Sequence, residues 1–189
     1  MVKIYVIDNG GQWTHREWRT LRDLDVDCEI KANTTAFDEL SDADGLVFSG
    51  GAPRMGLQKE LGNLSEMIEK ASVPLLGICA GHQFIAHFFG GEAKPSKIPE
   101  FGKITLERTD VKSPLFDEVP KSSIVWESHN DEVTVLPKDF ENLGSSSNCK
   151  IQAMQHKSRP IFGLQFHPEV EHTEFGEKIF ENFIALCKE

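Results

Sequence analysis

The chain has 189 residues, 39% of them hydrophobic and 26% charged, which is enough to bury one sizeable core, and no linker-like stretch divides it. With 30 acidic against 20 basic side chains the net charge is −10, which repels a phosphate backbone and, without a local basic patch, argues against nucleic acid as a partner. No apolar run approaches bilayer length, no secretory cleavage pattern follows Met1, and the four cysteines (Cys28, Cys79, Cys149, Cys187) form no C-x-x-C pair, so a membrane protein, a zinc knuckle and a disulfide framework are set aside and one cytoplasmic domain, residues 1–189, is expected.

Residues 3–8 read as a buried strand, and Asn9-Gly10-Gly11 turns the chain into a helix over about residues 12–24. In that helix Trp18, Leu21 and Leu24 form an apolar stripe, while Arg16, Arg19 and Arg22 cluster on the polar side. The turn lacks G-x-G-x-x-G and a P-loop lysine, so it does not read as a nucleotide site. A second strand is expected at 26–31, a short helical turn at 37–40, a third strand at 45–48, a helix at 57–70 and a fourth strand at 73–78. This alternation predicts an α/β fold of three layers, a mainly parallel central sheet with helices on both faces, with ligands beyond the carboxyl ends of the strands. After a helix at 83–89 the pattern changes to short strands at 103–108, 124–127, 133–136, 151–155 and 161–166, predicting antiparallel strands in the second half. A C-terminal helix at 173–188 would turn Phe175, Ile179, Phe180, Phe183 and Leu186 inward.

Three strand ends carry chemistry. Gly77-Ile78-Cys79-Ala80-Gly81 has the form of a nucleophile elbow, with a glycine two residues to either side of the cysteine leaving room for a strained strand-to-helix turn. The following helix aims its free N–H groups at the sulfur, which favours thiolate over thiol. Ser49-Gly50-Gly51 exposes backbone N–H groups suited to a developing oxyanion, although a tight turn uses the same residues. Gln165-Phe166-His167-Pro168-Glu169 places a histidine and a carboxylate together, one able to move a proton and the other to orient the ring.

Taken in order, these three motifs resemble the class I, triad-type glutamine amidotransferases across the whole chain, whose fold is flavodoxin-like. Asp8-Asn9-Gly10-Gly11-Gln12 with His15-Arg16, and the 165–170 stretch with His172-Thr173 and Gly176, narrow the resemblance to the amidotransferase subunits of two-subunit, archaeal-type GMP synthases. The resemblance implies catalysis by Cys79, His167 and Glu169, an oxyanion hole at the backbone N–H groups of Gly51 and Ala80, and glutamine binding by Gln83 and by a loop at Ser128, His129, Asn130 and Asp131. It implies neither metal nor cofactor in this chain. Ammonia would pass to a separate ATP-pyrophosphatase subunit that uses ATP and magnesium, with contacts near the mouth around Cys79 and at 171–173. The sequence departs from many relatives at Ala52, which separates the double glycine from Pro53, and at Ala80, where a bulkier residue is common.

Two enzyme alternatives share much of this pattern: an amidotransferase subunit serving a chorismate or carbamoyl phosphate acceptor, and a cysteine peptidase or γ-glutamyl hydrolase on a related fold. A non-catalytic regulatory subunit on the same scaffold would not need all three triad residues.

Overall fold

The structure, a computed structural model, describes residues 1–188. Its nine strands form one sheet in the order β2-β1-β3-β4-β9-β8-β7-β5-β6. Strands β1 (Lys3–Asn9), β2 (Asp27–Ala32), β3 (Gly45–Gly51), β4 (Leu75–Ile78) and β9 (Ile161–Leu164) are mutually parallel, and β8 (Ala153–His156), β7 (Phe140–Ser145), β5 (Glu92–Arg108) and β6 (Ser122–Val135) continue the sheet antiparallel. The expected α/β architecture, parallel first and antiparallel later, is the one observed.

Strand periodicity divides the core in two. Ile4, Val6, Val47 and Leu76 face α1 (Thr14–Asp23) and α4 (Gly176–Leu186), whereas Tyr5, Ile7, Leu46 and Leu75 face α2 (Leu64–Lys70) and α3 (Ala80–Phe88). Successive residues of a strand point to opposite faces, so apolar runs on β1, β3 and β4 supply both layers.

Several local expectations change. The helix expected at 57–70 begins only at Leu64: Gly62 takes φ +56° against Asn33, and Leu57 is 72% exposed instead of lining a stripe. The strands expected at 124–127 and 133–136 are one strand, β6, so residues 128–131, expected as a loop, are strand. Opposite it β5 bulges, because Pro95 pairs with Asp131 and Glu100 with His129, leaving Asn130 with no ladder partner. Strand β7 has no counterpart in the sequence reading. Phe175 is 43% exposed: it precedes α4 in a left-handed conformation (φ 59°), and Gly176 starts the helix tight against the Pro168 carbonyl, where a Cβ has no room.

Candidate active site

Sheet order brings the three motifs together. The ends of β3, β4 and β9 are neighbours and run the same way, so Gly51, Cys79 and His167 emerge side by side although 116 residues of sequence separate the first from the last (167 − 51). At the elbow Cys79 has φ 48° and ψ −103°, outside the comfortable regions for an L-residue. The flanking glycines allow it: a Cβ on Gly77 would strike Ile85 and Gly81, and one on Gly81 would strike the Phe48 carbonyl. The helix α3 starts at Ala80, directly after the nucleophile, and not at residue 83 as expected.

His167 is fixed from two directions. Its backbone N–H donates to the Trp126 carbonyl at 2.9 Å, and Thr173 donates its hydroxyl to the His167 carbonyl at 2.7 Å while accepting from the Trp126 N–H at 2.9 Å. Nδ1 meets Glu169 Oε1 at 2.7 Å with both side chains buried, and Trp13 packs edge-on against the ring at 4.4 Å between centroids. Nε2 has no hydrogen-bond partner among the described residues, and the ring lines the same cavity as Cys79, about 230 Å³ in volume. Burial alone would pull the imidazole down; the Glu169 carboxylate, with Cys79 adding to it, outweighs burial and holds His167 well above its usual 6.5.

Around the sulfur, the Gln165 amide donates to Sγ at 3.7 Å and the Ser128 carbonyl lies at 4.0 Å. Gln83 is buried and commits its amide nitrogen to the Asp131 carbonyl (2.7 Å) and to Gln165 Oε1 (3.0 Å), so it fastens β6 to the elbow helix. A second cavity of about 150 Å³ opens on the other side of Cys79, lined by Gly51, Ala80, Gln83, Arg54 and residues 128–131. There Arg54 forks onto the buried Asp131 carboxylate at 2.5–2.9 Å, and the Gly56 N–H adds a third donor at 3.0 Å. Cys79 therefore sits between two pockets, one on the histidine side and one on the β6 side.

The Ser49-Gly50-Gly51 segment, expected to serve an oxyanion, is less loop-like than its glycines suggest. Through Gly51 it is strand, paired with Asn9 and bridged to Gly10. The Asn9 side chain donates to the Ser49 carbonyl at 2.9 Å, and Gly11 crosses so close over Gly50 that a Cβ would strike the Gly50 carbonyl. The turn at 9–11 thus braces the oxyanion strand.

His129 points away from the sulfur. Its Nδ1 faces the Asp131 carbonyl at 3.0 Å, which requires a proton on Nδ1, and Nε2 faces Glu100 at 3.1 Å and Glu127 at 3.6 Å. Glu100, His129 and Cys149 have the donor types and proximity to hold a metal ion, but protein groups already engage them: Ser146 (2.7 Å) and Gln152 (2.7 Å) donate to Glu100, and the Cys149 thiol donates to the Ile151 carbonyl at 3.7 Å. Glu127 is fully buried with neither oxygen hydrogen-bonded among the described residues, and burial pushes its carboxyl well above the ordinary 4.5.

Sequence reading missed Glu17, Gln165, Trp13 and Arg54 as site residues. For Glu17 a signal existed: it lies one turn before Leu21, on the buried face Thr14-Glu17-Leu21, where a carboxylate has no packing reason to be.

Comparison with known proteins agrees with this geometry. The model of the family described as glutamine amidotransferase class-I matches residues 5–187. The glutamine-hydrolyzing GMP synthase subunit of Thermoplasma acidophilum is 50% identical over 99% of this chain and 94% of its own length; its namesake in Pyrococcus furiosus is 45% identical over 98% and 99%. A solved Thermoplasma acidophilum structure at 50% identity superposes with a TM-score of 0.94, covering 100% of this chain and 94% of that one. A glutamine amidotransferase of Thermotoga maritima, 21% identical, shares the fold with a TM-score of 0.75 over 99% of this chain and 82% of its own.

Proposed function

The chain belongs to the class I glutamine amidotransferases, and on that premise we propose that it is the glutaminase subunit of a two-subunit GMP synthase, a cytoplasmic domain spanning residues 1–189. The observation that carries this reading is the convergence of Cys79, His167 and Glu169 at neighbouring strand ends, beside two glycine-rich backbone segments, in a chain 45–50% identical to proteins of that name.

In this reading the Cys79 thiolate attacks the side-chain carboxamide carbon of glutamine. The C=O electrons move onto oxygen, where the N–H groups of Gly51 and Ala80 receive them; one such donor is worth about 3 kcal/mol of transition-state stabilisation. The His167 imidazolium, its Nδ1 held by Glu169, gives the Nε2 proton to the departing nitrogen, and ammonia leaves as the thioester forms. Neutral His167 then takes a proton from water, hydroxide adds to the thioester carbon, and glutamate departs with the thiolate restored. Gln83 and the 128–131 strand receive the amino-acid end of glutamine through main-chain groups, at the place where the bulge in β5 leaves Asn130 without a ladder partner. Ammonia passes to an ATP-pyrophosphatase subunit, which uses ATP and magnesium to activate xanthosine monophosphate for amination. The chain itself needs no cofactor for its half of the reaction.

The test is co-purification with such a synthetase, followed by GMP formation from xanthosine monophosphate and ATP with glutamine or with free ammonia. Glutamine dependence that requires this chain, and is lost in Cys79→Ala while ammonia still serves, is the expected result. Amination of chorismate or formation of carbamoyl phosphate in its place would reassign the acceptor.

A further inference from the structure

One acid in the cavity beside Cys79 has no part in the triad. Glu17, on α1, is fully buried, and its Oε1 accepts the Gly50 N–H at 3.2 Å. Oε2 has no partner among the described residues. A carboxyl kept for packing or for structural hydrogen bonding would have both oxygens engaged; this one makes a single bond, and it goes to the peptide that precedes the Gly51 amide. Gly50 also lies against both Cys79 and His167: a Cβ there would be 3.0 Å from His167 Cε1 and 3.6 Å from Cys79 Cβ, which leaves little room for a side chain that could fix its conformation.

Asn9 holds the strand through the Ser49 hydroxyl and carbonyl, and the Gly50 carbonyl accepts from the Ser49 hydroxyl at 2.7 Å, whereas the Gly50 N–H goes to Glu17. Gly50, the residue type with the widest choice of φ and ψ, would by itself leave both of its peptide planes free to turn. Glu17 anchors the first, and the pairing of Gly51 with Asn9 holds the far end of the second, so the plane that carries the Gly51 N–H is restrained from both sides. Glu17 lines the cavity with Cys79 and His167, and burial, followed by the nearby Glu169 carboxylate, pushes its carboxyl well above the ordinary range, which favours the neutral acid beside a triad that already carries charge.

We propose that Glu17 is a positioning residue of the glutaminase site, holding the Ser49–Gly50 peptide so that the Gly51 N–H is presented to the oxyanion of the tetrahedral intermediate. The proposal rests on the glutaminase reading of Cys79 and His167.

Glu17→Gln keeps an oxygen that can accept the Gly50 N–H; Glu17→Leu removes it and suits the apolar face of α1. With the full chain in its complex, Glu17→Gln should keep kcat within about threefold of wild type, whereas Glu17→Leu should lose about 100-fold in kcat with little change in KM, the pattern of a lost transition-state donor. Alkylation of Cys79 by iodoacetamide needs the thiolate but no oxyanion donor, so its rate should stay within about twofold in both variants. Hydrogen exchange adds a readout independent of turnover: Gly50 N–H protection should persist in Glu17→Gln and be lost in Glu17→Leu. Wild-type kcat in Glu17→Leu, equal losses in both variants, an alkylation rate that falls with kcat, or unchanged Gly50 protection would each overturn the proposal. Failure of the wild-type complex to hydrolyse glutamine would instead sink the reading on which it rests, and the exchange comparison would still decide whether Glu17 holds Gly50.

Discussion

Cys79, the proposed nucleophile, is the most strained residue of its strand-to-helix turn. A backbone at φ 48° and ψ −103° costs an L-residue on the order of 1–3 kcal/mol, and only glycine relieves it. Cys79→Gly should therefore be about 1 kcal/mol more stable than Cys79→Ala in thermal or denaturant unfolding, with both variants inactive. Equal stabilities would mean that the elbow is not strained. The other cysteines are poor nucleophiles for a physical reason: burial pushes Cys28 up to about 11 and Cys187 up to about 12, and raises Cys149 further still. An electrophilic glutamine analogue should accordingly label Cys79 alone, which peptide mapping would check. In the proposed mechanism His167 exchanges the proton and Glu169 only orients the ring, so His167→Ala should lose about 10- to 100-fold more kcat than Glu169→Gln. The reverse order would exchange the two assignments.

At the scale of elements, β6 is where the two halves of the site are joined. Its Asp131 is held by Arg54 and Gly56, its His129 by Glu100, and its Asp131 carbonyl by Gln83. Breaking the Arg54 fork leaves a carboxylate that is 3% exposed with only a backbone donor. Arg54→Ala should raise KM for glutamine about tenfold with a smaller effect on kcat, because the fork holds the Asp131 wall of the pocket and bonds none of the proposed reacting groups. The strand also carries a pH signature. Glu127 is buried, faced by His129 and Glu100, and felt by His167 and Cys79, and its folded pKa lies well above the ordinary 4.5. The folded state thus holds this proton more tightly than the unfolded chain, so the stabilisation is complete below about pH 4.5 and is lost as pH rises through the raised folded value. Glu127→Gln, which cannot ionise, should flatten the fall in Tm as pH rises above about 4.5; an identical fall in wild type and variant would assign it to other groups.

For the whole molecule the consequence is coupling. A chain that makes ammonia for another active site wastes glutamine if it turns over alone, so in isolation it is expected to be a poor glutaminase that its synthetase partner activates. The oxyanion strand is pinned by Asn9, Gly11 and Glu17 and is not a free glycine loop, so activation has to act through those braces or through β6. Glutamine hydrolysis measured for this chain alone, with its partner, and with ATP and xanthosine monophosphate added should rise mainly in kcat. A change confined to KM would move the switch to residues 128–131, and three equal rates would remove it.

The parallel half of the sheet, the elbow and the His-x-Glu pair are legible in the order of residues because they are local: apolar runs of strand length, glycines at fixed offsets, and a proton-transfer pair two residues apart. The unity of β6 is not. Pairing with β5 is non-local, and β5 itself is interrupted where two prolines and a bulge break its alternation. The helix expected at 57–70 is too long because Leu57, Leu61, Leu64 and Ile68 keep a helical period that Gly62 cuts by taking a positive φ, a choice settled by its packing against Asn33. Glu17 stands between the two cases. Its place on the apolar face of α1 marks it as out of keeping there, but only the closing of α1 over the end of β3 places its carboxyl against the Gly50 amide. Local spacing fixes which residues can do chemistry, whereas the partners that hold them in place come from distant segments, and those contacts exist only once the sheet has assembled.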